Sequence, residues 1–193
     1  VTLLVQIFIL IPFILCVPLH PYIIPMSHKY NILTLNICNI QTPAKHHLLT
    51  QVLWDTDADI ALLQEVSSVN INFIPGYMSI VNTDYNIRGT AILIKDHIEV
   101  QDIKMLPDFR GISVKLGDVN IINIYAPSGS QHKRDRLTFF GEHISLLFSP
   151  AKHTIIGGDF NCVLSAKDQS GQTNICPTLT RLVNELDSKI LGN

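Results

Sequence analysis

The sequence predicts an α/β sandwich, with two sheets packed face to face and helices outside them. Three observations carry that expectation. Short apolar runs recur along the chain and outnumber the segments with helical spacing. The helical segments punctuate the strands instead of forming a block of their own, which is the pattern of layered α/β folds. The 193 residues are 47% hydrophobic and 16% charged, enough to bury a core and too little charged for a disordered chain.

Each element follows from local pattern. NILTLN, 31–36, is a short apolar run and reads as a buried strand. Thr42-Pro43 pairs an N-cap residue with proline at the first helical position. Ala44, Leu48, Leu49, Val52 and Leu53 then recur at helical spacing until Asp55–Asp59 break the helix. DIALLQEV, 59–66, is a second buried strand, and 77–82 and 89–95 are two more. Ile112, Val114 and Leu116 alternate with polar residues, Gly117-Asp118 turns, and VNIINIYA returns, predicting a hairpin over 109–126. A second helix is expected over 133–148, with Leu137, Phe140, Ile144, Leu147 and Phe148 on one face. HTIIGGDF, 153–160, is a further strand. A third helix begins at Pro177, faces inward through Leu179, Leu182, Val183, Leu186 and Ile190, and meets a C-cap at Gly192.

Composition excludes several functions. Lys+Arg 14 against Asp+Glu 16 gives a formal charge of −2, so the chain is not a globally basic nucleic-acid binder, although a local basic patch remains open. The four cysteines lie far apart, with no C-x-x-C pair, so neither a zinc site nor a disulfide framework is suggested. No N-x-[S/T] sequon occurs, and with the cysteine pattern this points to an intracellular setting. Residues 1–25 form an apolar leader whose first seventeen residues carry no charge, and Pro12 interrupts that run. Three readings stand: a membrane or signal-like segment through residues 1–19, a buried segment of the domain, or translation upstream of a start at Met26. The domain is expected over 26–193.

Four apolar runs end in polar side chains that a buried strand does not need. They are Asn36, Gln64-Glu65, Tyr125 and Asp159-Phe160-Asn161. Singly, Glu65 is a solvated strand end, Asn36 a turn residue, Tyr125 a half-buried strand aromatic and GDFN a tight turn. Together they offer two carboxylates, amides and a phenol, with no thiol or Ser/His pair among them. That inventory suits phosphate-ester hydrolysis helped by a hard cation. Mg²⁺ takes oxygen ligands and binds through one or two carboxylates plus water and substrate oxygens. A second carboxylate can deprotonate the attacking water, while amides and a phenol stabilise the phosphorane.

ILTLN, ALLQEV, NIYAPSG and IIGGDFNCVLS, in that order, resemble the endonuclease/exonuclease/phosphatase family and its DNase I-like fold. Within it the chain is most similar to the apurinic-type endonuclease domain of LINE-type non-LTR retrotransposons. MSHKYNILTLNICNI with Lys45-His46-His47, and GDFNCVLSAKDQSG with Asp168 and Ser170, carry that likeness. The resemblance implies Glu65 as principal ligand of Mg²⁺ (or Mn²⁺), with Asn36 beside it. Tyr125 would contact the scissile phosphate, Asp159 would position and activate water, and Asn161 would support the transition-state charge. The implied reaction nicks one DNA strand to leave a 3′-hydroxyl that primes a reverse transcriptase in the same polyprotein. Nuclear action is expected.

The chain departs from the family in two places. Cys38 and Asn39 stand where the family has a polar residue and then glycine. The closing Ser-Asp-His strand, whose histidine takes part in catalysis, is absent from the sequence, so the fold is expected to be incomplete at the C-terminus and the chain inactive or nearly so. None of the eight histidines replaces it. Contacts to a DNA backbone are expected from Arg88 and from Lys133 and Arg134 in QHKRDR, whereas Lys95, Lys104 and Arg110 read as scattered. Two alternatives stay open: another phosphoesterase of this fold (a repair endonuclease or phosphatase), or a retroelement remnant without function.

Overall fold

The computed structural model describes residues 30–38, 42–67, 74–84, 87–162, 177–182 and 184. The leader 1–25 and, from the third helix, Val183, Leu186, Ile190 and Gly192 lie outside the described residues. Among the described residues no helix is long and apolar enough to cross a membrane.

The chain runs β1 (Ile32–Asn36), α1 (Pro43–Asp55), β2 (Ile60–Val66), β3 (Tyr77–Asp84), β4 (Ile87–Lys95), β5 (Asp102–Met105), β6 (Gly111–Leu116), β7 (Val119–Tyr125), α2 (Lys133–Gly141) and β8 (His153–Asp159). Two four-stranded sheets form, ordered β1-β2-β4-β3 and β5-β6-β7-β8. Each contains one parallel pair, β1 with β2 and β7 with β8, while the other neighbours run antiparallel. Parallel pairing needs a crossover, and α1 and α2 lie in the two crossovers.

Alternation along the strands sorts the apolar side chains into layers. Ile60, Leu62, Ile92 and Ile94 of one sheet meet Ile112, Val114 and Ile121 of the other in the central layer. Ala61, Leu63 and Leu93 point outward beneath Leu49 and Leu53 of α1. Ile122 and Ile124 point outward beneath Phe139 and Phe140 of α2, with Leu179 of the helical segment 177–182 in the same cluster. The two-sheet sandwich with outer helices is therefore the observed architecture.

Two expectations change. The second helix does not run unbroken to 148. It ends at Gly141, and a 3₁₀ segment His143–Leu147 continues after Glu142, whose φ of −128° is not helical. Glycine is a weak helix former, and the tighter turn still buries Ile144 and Leu147. β5 was not expected. It is a four-residue edge strand, and exposed Asp102 interrupts any apolar run.

Candidate active site

The two parallel pairs bring their carboxyl ends to one edge of the sandwich. Asn36 pairs with Gln64 in one sheet, and Tyr125 pairs with Asp159 in the other. Counting by twos from core residues puts Asn36, Tyr125 and Asp159 on the faces that look at the opposite sheet.

Glu65 reaches the same place by a different device. The register of β2 on β4 passes from Gln64↔Thr90 to Val66↔Gly89, leaving Glu65 as an extra residue. Its φ is +56°, the left-handed conformation common in bulges. The bulge turns a side chain that would otherwise face α1 towards Asn36, whose Nδ2 donates to Glu65 Oε1 at 3.0 Å. The same Nδ2 donates to Asp159 Oδ2 at 3.2 Å, so one amide bridges carboxylates from both sheets. The oxygen of Asn36 faces the loop and accepts from Cys38 N at 3.1 Å. Cys38 has a φ of +44°, so the backbone turns left-handed there, and Asn39 lies outside the described residues.

Asp159 is delivered by two glycines. A Cβ on Gly158, at φ +130°, would lie 2.0 Å from Ile124 O. A Cβ on Gly157 would lie 2.6 Å from Leu62 Cδ1 of the facing sheet. The chain then turns at Asn161, φ +49°, whose backbone N donates to Asp159 Oδ1 at 3.0 Å. Asn161 Nδ2 donates to Ala126 O at 2.8 Å, tying the turn to the loop after Tyr125. Asp159 is buried, and burial pushes its carboxyl up from the ordinary value. The charge of Glu65 pushes it the same way, against the opposing hydrogen bonds from Asn161 and Asn36.

Asn36, Glu65, Tyr125, Asp159 and Asn161 thus share one edge of the sandwich. Lys133 and Arg134 are exposed on the first turn of α2. Arg88 lies on β4, and its side chain is outside the described part. Of the described histidines, His132 pairs with Asp135, His143 lies by Asp108, and His153 begins β8 at the end away from Asp159, while His46 and His47 lie on α1 and His97 in the turn after β4.

Sequence reasoning missed three polar residues. Asn123, fully buried, accepts from Gln64 Nε2 at 2.7 Å and donates to Leu63 O and Ala91 O, so Gln64 joins the sheets rather than facing solvent. Buried Arg136 donates to Pro127 O and Gly129 O, pinning the loop after Tyr125. Arg110 is not scattered. Its guanidinium lies over the Tyr125 ring, 5.2 Å from the centroid, and donates to Tyr125 O at 3.2 Å. Counting back across the hairpin from Gly117-Asp118 places Arg110 opposite Tyr125, a signal that was available.

The residue types fit a hard divalent cation, two carboxylates and an amide, with Asn36 turning its nitrogen to the carboxylates and its oxygen to the loop. Among the described residues no cluster of three or more His, Cys, Asp or Glu forms, unlike a closed zinc site.

Residues 33–172 match the endonuclease/exonuclease/phosphatase family. Similar solved structures include an AP endonuclease from Archaeoglobus fulgidus, at 21% identity and TM-score 0.65 over 80% of this chain and 70% of that one. A 3′ phosphatase from Neisseria bound to product DNA hairpin is similar at 18% identity and TM-score 0.59, over 71% and 60%. TDP2 from C. elegans is similar at 18% identity and TM-score 0.55; the match covers 72% of this chain but only 49% of that protein. At these identities the structures share the fold, while the family match spans most of the chain. By that match, and by the sandwich it predicts, the chain belongs to the endonuclease/exonuclease/phosphatase family.

Proposed function

We propose that this edge of the sandwich hydrolyses phosphodiesters with a divalent metal, Mg²⁺ or Mn²⁺, and that its substrate is DNA. The observation that carries the reading is the pair of carboxylates from opposite sheets held on one amide. Glu65 and Asn36 would hold the cation, which when bound polarises a phosphoryl oxygen and stabilises the leaving alkoxide. Ligation by Asn36 through Oδ1 requires its amide to turn over, or the cation to approach from the side of Cys38.

Asp159 orients the attacking water and takes its proton. Its carboxylate is a stronger base for being buried. The water oxygen bonds to phosphorus as the bond to the 3′-oxygen breaks; that oxygen takes a proton from solvent water to leave a 3′-hydroxyl, and the other fragment keeps a 5′-phosphate. Asn161 keeps one N–H beyond its bond to Ala126 O and can donate it to the phosphorane. Tyr125 contacts the phosphate from the neighbouring strand end. Arg88, Lys133 and Arg134 would meet the DNA backbone.

DNA as substrate is supported by the structural neighbours, among them an AP endonuclease and a 3′ phosphatase bound to a product DNA hairpin. The place in a retroelement is supported by GDFNCVLSAKDQSG and by the sequence around the first methionine. In that setting the nick primes a reverse transcriptase encoded by the same transcript, in the nucleus. Sequencing the transcript on both sides tests this: a reverse transcriptase frame upholds it, and unrelated flanks remove it.

The chemistry is tested by nicking of supercoiled plasmid with the 193-residue chain in excess, beside E65Q and D159N. We expect slow, Mg²⁺-dependent nicking that EDTA and either substitution abolishes. Nicking unaffected by E65Q removes the assignment. Mn²⁺ binding by calorimetry gives a readout independent of turnover, and E65Q should lose it.

A further inference from the structure

We propose that Arg110 is a positioning residue for Tyr125: its guanidinium fixes the tilt of the phenol ring so that the hydroxyl meets the phosphate. The inference rests on the reading of Tyr125 as the phosphate contact. Tyr125 ends β7 as a largely buried side chain, so small changes in the tilt of its ring decide where the hydroxyl lies. Arg110 holds it at two points, with the guanidinium over the ring face 5.2 Å from the centroid and Nη1 on the backbone carbonyl at 3.2 Å. A second backbone bond, Tyr125 N to Arg110 O at 2.9 Å, sets the register between them.

The loop that carries Arg110 is itself built at a cost. Phe109, a bulky residue, has a φ of +62°. Such strain persists only where neighbours over-determine it, and here they do. Thr90 Oγ1, from a residue with no exposure, donates to Phe109 O at 3.2 Å. Buried Asn82 Nδ2 donates to Leu106 O at 2.8 Å and Gly111 O at 3.1 Å, closing the loop at both ends. Asp108 Oδ1 accepts from Arg110 N at 3.3 Å. Side chains of the opposite sheet therefore spend their hydrogen bonds on presenting one arginine to one tyrosine. A planar guanidinium can lie flat on a ring, and an ammonium cannot do so in the same way.

The test is a double-mutant cycle of R110M and Y125F, with R110K beside it, read by affinity for a labelled duplex oligonucleotide at several salt concentrations. R110M should weaken binding about fivefold to tenfold, the range of a partly buried cation–π contact. In the Y125F background R110M should cost less than about twofold, because the hydroxyl it positions is gone. The salt slope should be unchanged by R110M, and R110K should recover less than half of the loss. Losses that multiply, or a slope reduced by about one, would mean that Arg110 meets a phosphate itself and overturn the proposal. The contact is also read without DNA, from the Tyr125 ring resonance of a ¹³C-tyrosine-labelled chain, assigned by its absence in Y125F. That resonance should move in R110M; an unmoved resonance overturns the proposal. A chain that binds no DNA but shows the shift keeps the positioning and removes the substrate reading.

Discussion

Asp159 shows how a single residue can be poor for stability and suited to a site. Its carboxyl is raised first by burial and then by the charge of Glu65. A carboxyl whose folded value is raised contributes stability that is fully present below its unfolded value, 3.8, and lost as pH rises through the folded value. Ionised Asp159 in the metal-free chain therefore opposes folding. D159N removes that charge and keeps an oxygen for the Asn161 N–H. The melting temperature of D159N should exceed that of the metal-free wild type at pH 7, and the gap should close as pH falls towards 3.5. Thermal melts across that range check it; a gap that widens in acid would mean that Asp159 stabilises the fold as an anion. Glu65 carries a related cost, since a non-glycine residue in the left-handed region is disfavoured by about 1 kcal/mol or more.

At the scale of the element, the delivery of Asp159 depends on the two glycines before it. G158A would place a methyl 2.0 Å from Ile124 O in a backbone conformation that L-residues rarely adopt. Backbone cannot yield as a side-chain end can, so the cost should exceed about 4 kcal/mol and leave little soluble folded protein. G157A meets only Leu62 Cδ1 and should cost about 1–3 kcal/mol by urea unfolding. Equal costs would show that overpacking against the facing sheet, not the backbone of β8, limits the site. Most elements were legible because their signals are local. Thr42 caps α1 through Lys45 N, as Thr-Pro predicts, and the strand-end polar residues mark where buried runs stop. The direction of Glu65 was not legible, because its bulge exists only in the register of β2 against β4. The break at Gly141–Glu142 was hidden because Ile144 and Leu147 suit a helix and a 3₁₀ turn alike.

At the scale of the molecule, the site exists only while the two sheets keep their spacing, since Asn36 and Glu65 belong to one and Tyr125, Asp159 and Asn161 to the other. The apolar layer between the sheets resists separation but is non-directional and tolerates sliding. Direction comes from Asn123, which is held by Gln64 and by the carbonyls of Leu63 and Ala91, next to the Glu65 bulge. N123L would leave those buried groups short of partners, at about 1–3 kcal/mol for each unsatisfied group. The clamp at the other end of the sandwich serves as the control. Lys95 Nζ lies 2.7 Å from Asp57 and 2.9 Å from Asp59. The hydrogen bond to Lys95 lowers the Asp57 carboxyl, so that part of the stability is present above the ordinary carboxylate range and lost as pH falls through the lowered value. The raised Lys95 contributes below the ordinary lysine value and loses its part only in strong alkali. K95M should therefore lower the melting temperature at pH 7, by an amount that shrinks as pH falls through the lowered Asp57 value. Both variants weaken the fold, but only N123L should weaken Mn²⁺ binding at Glu65 and Asn36, because only it frees the sheets to slide beside the site, where the Asn36 amide is tied to Asp159 of the other sheet. Calorimetric titration of the two variants, at a temperature where both remain folded, separates the cases. Equal Mn²⁺ affinity in N123L and wild type would show that the amide bridge of Asn36 holds the carboxylates in place without help from the sheets.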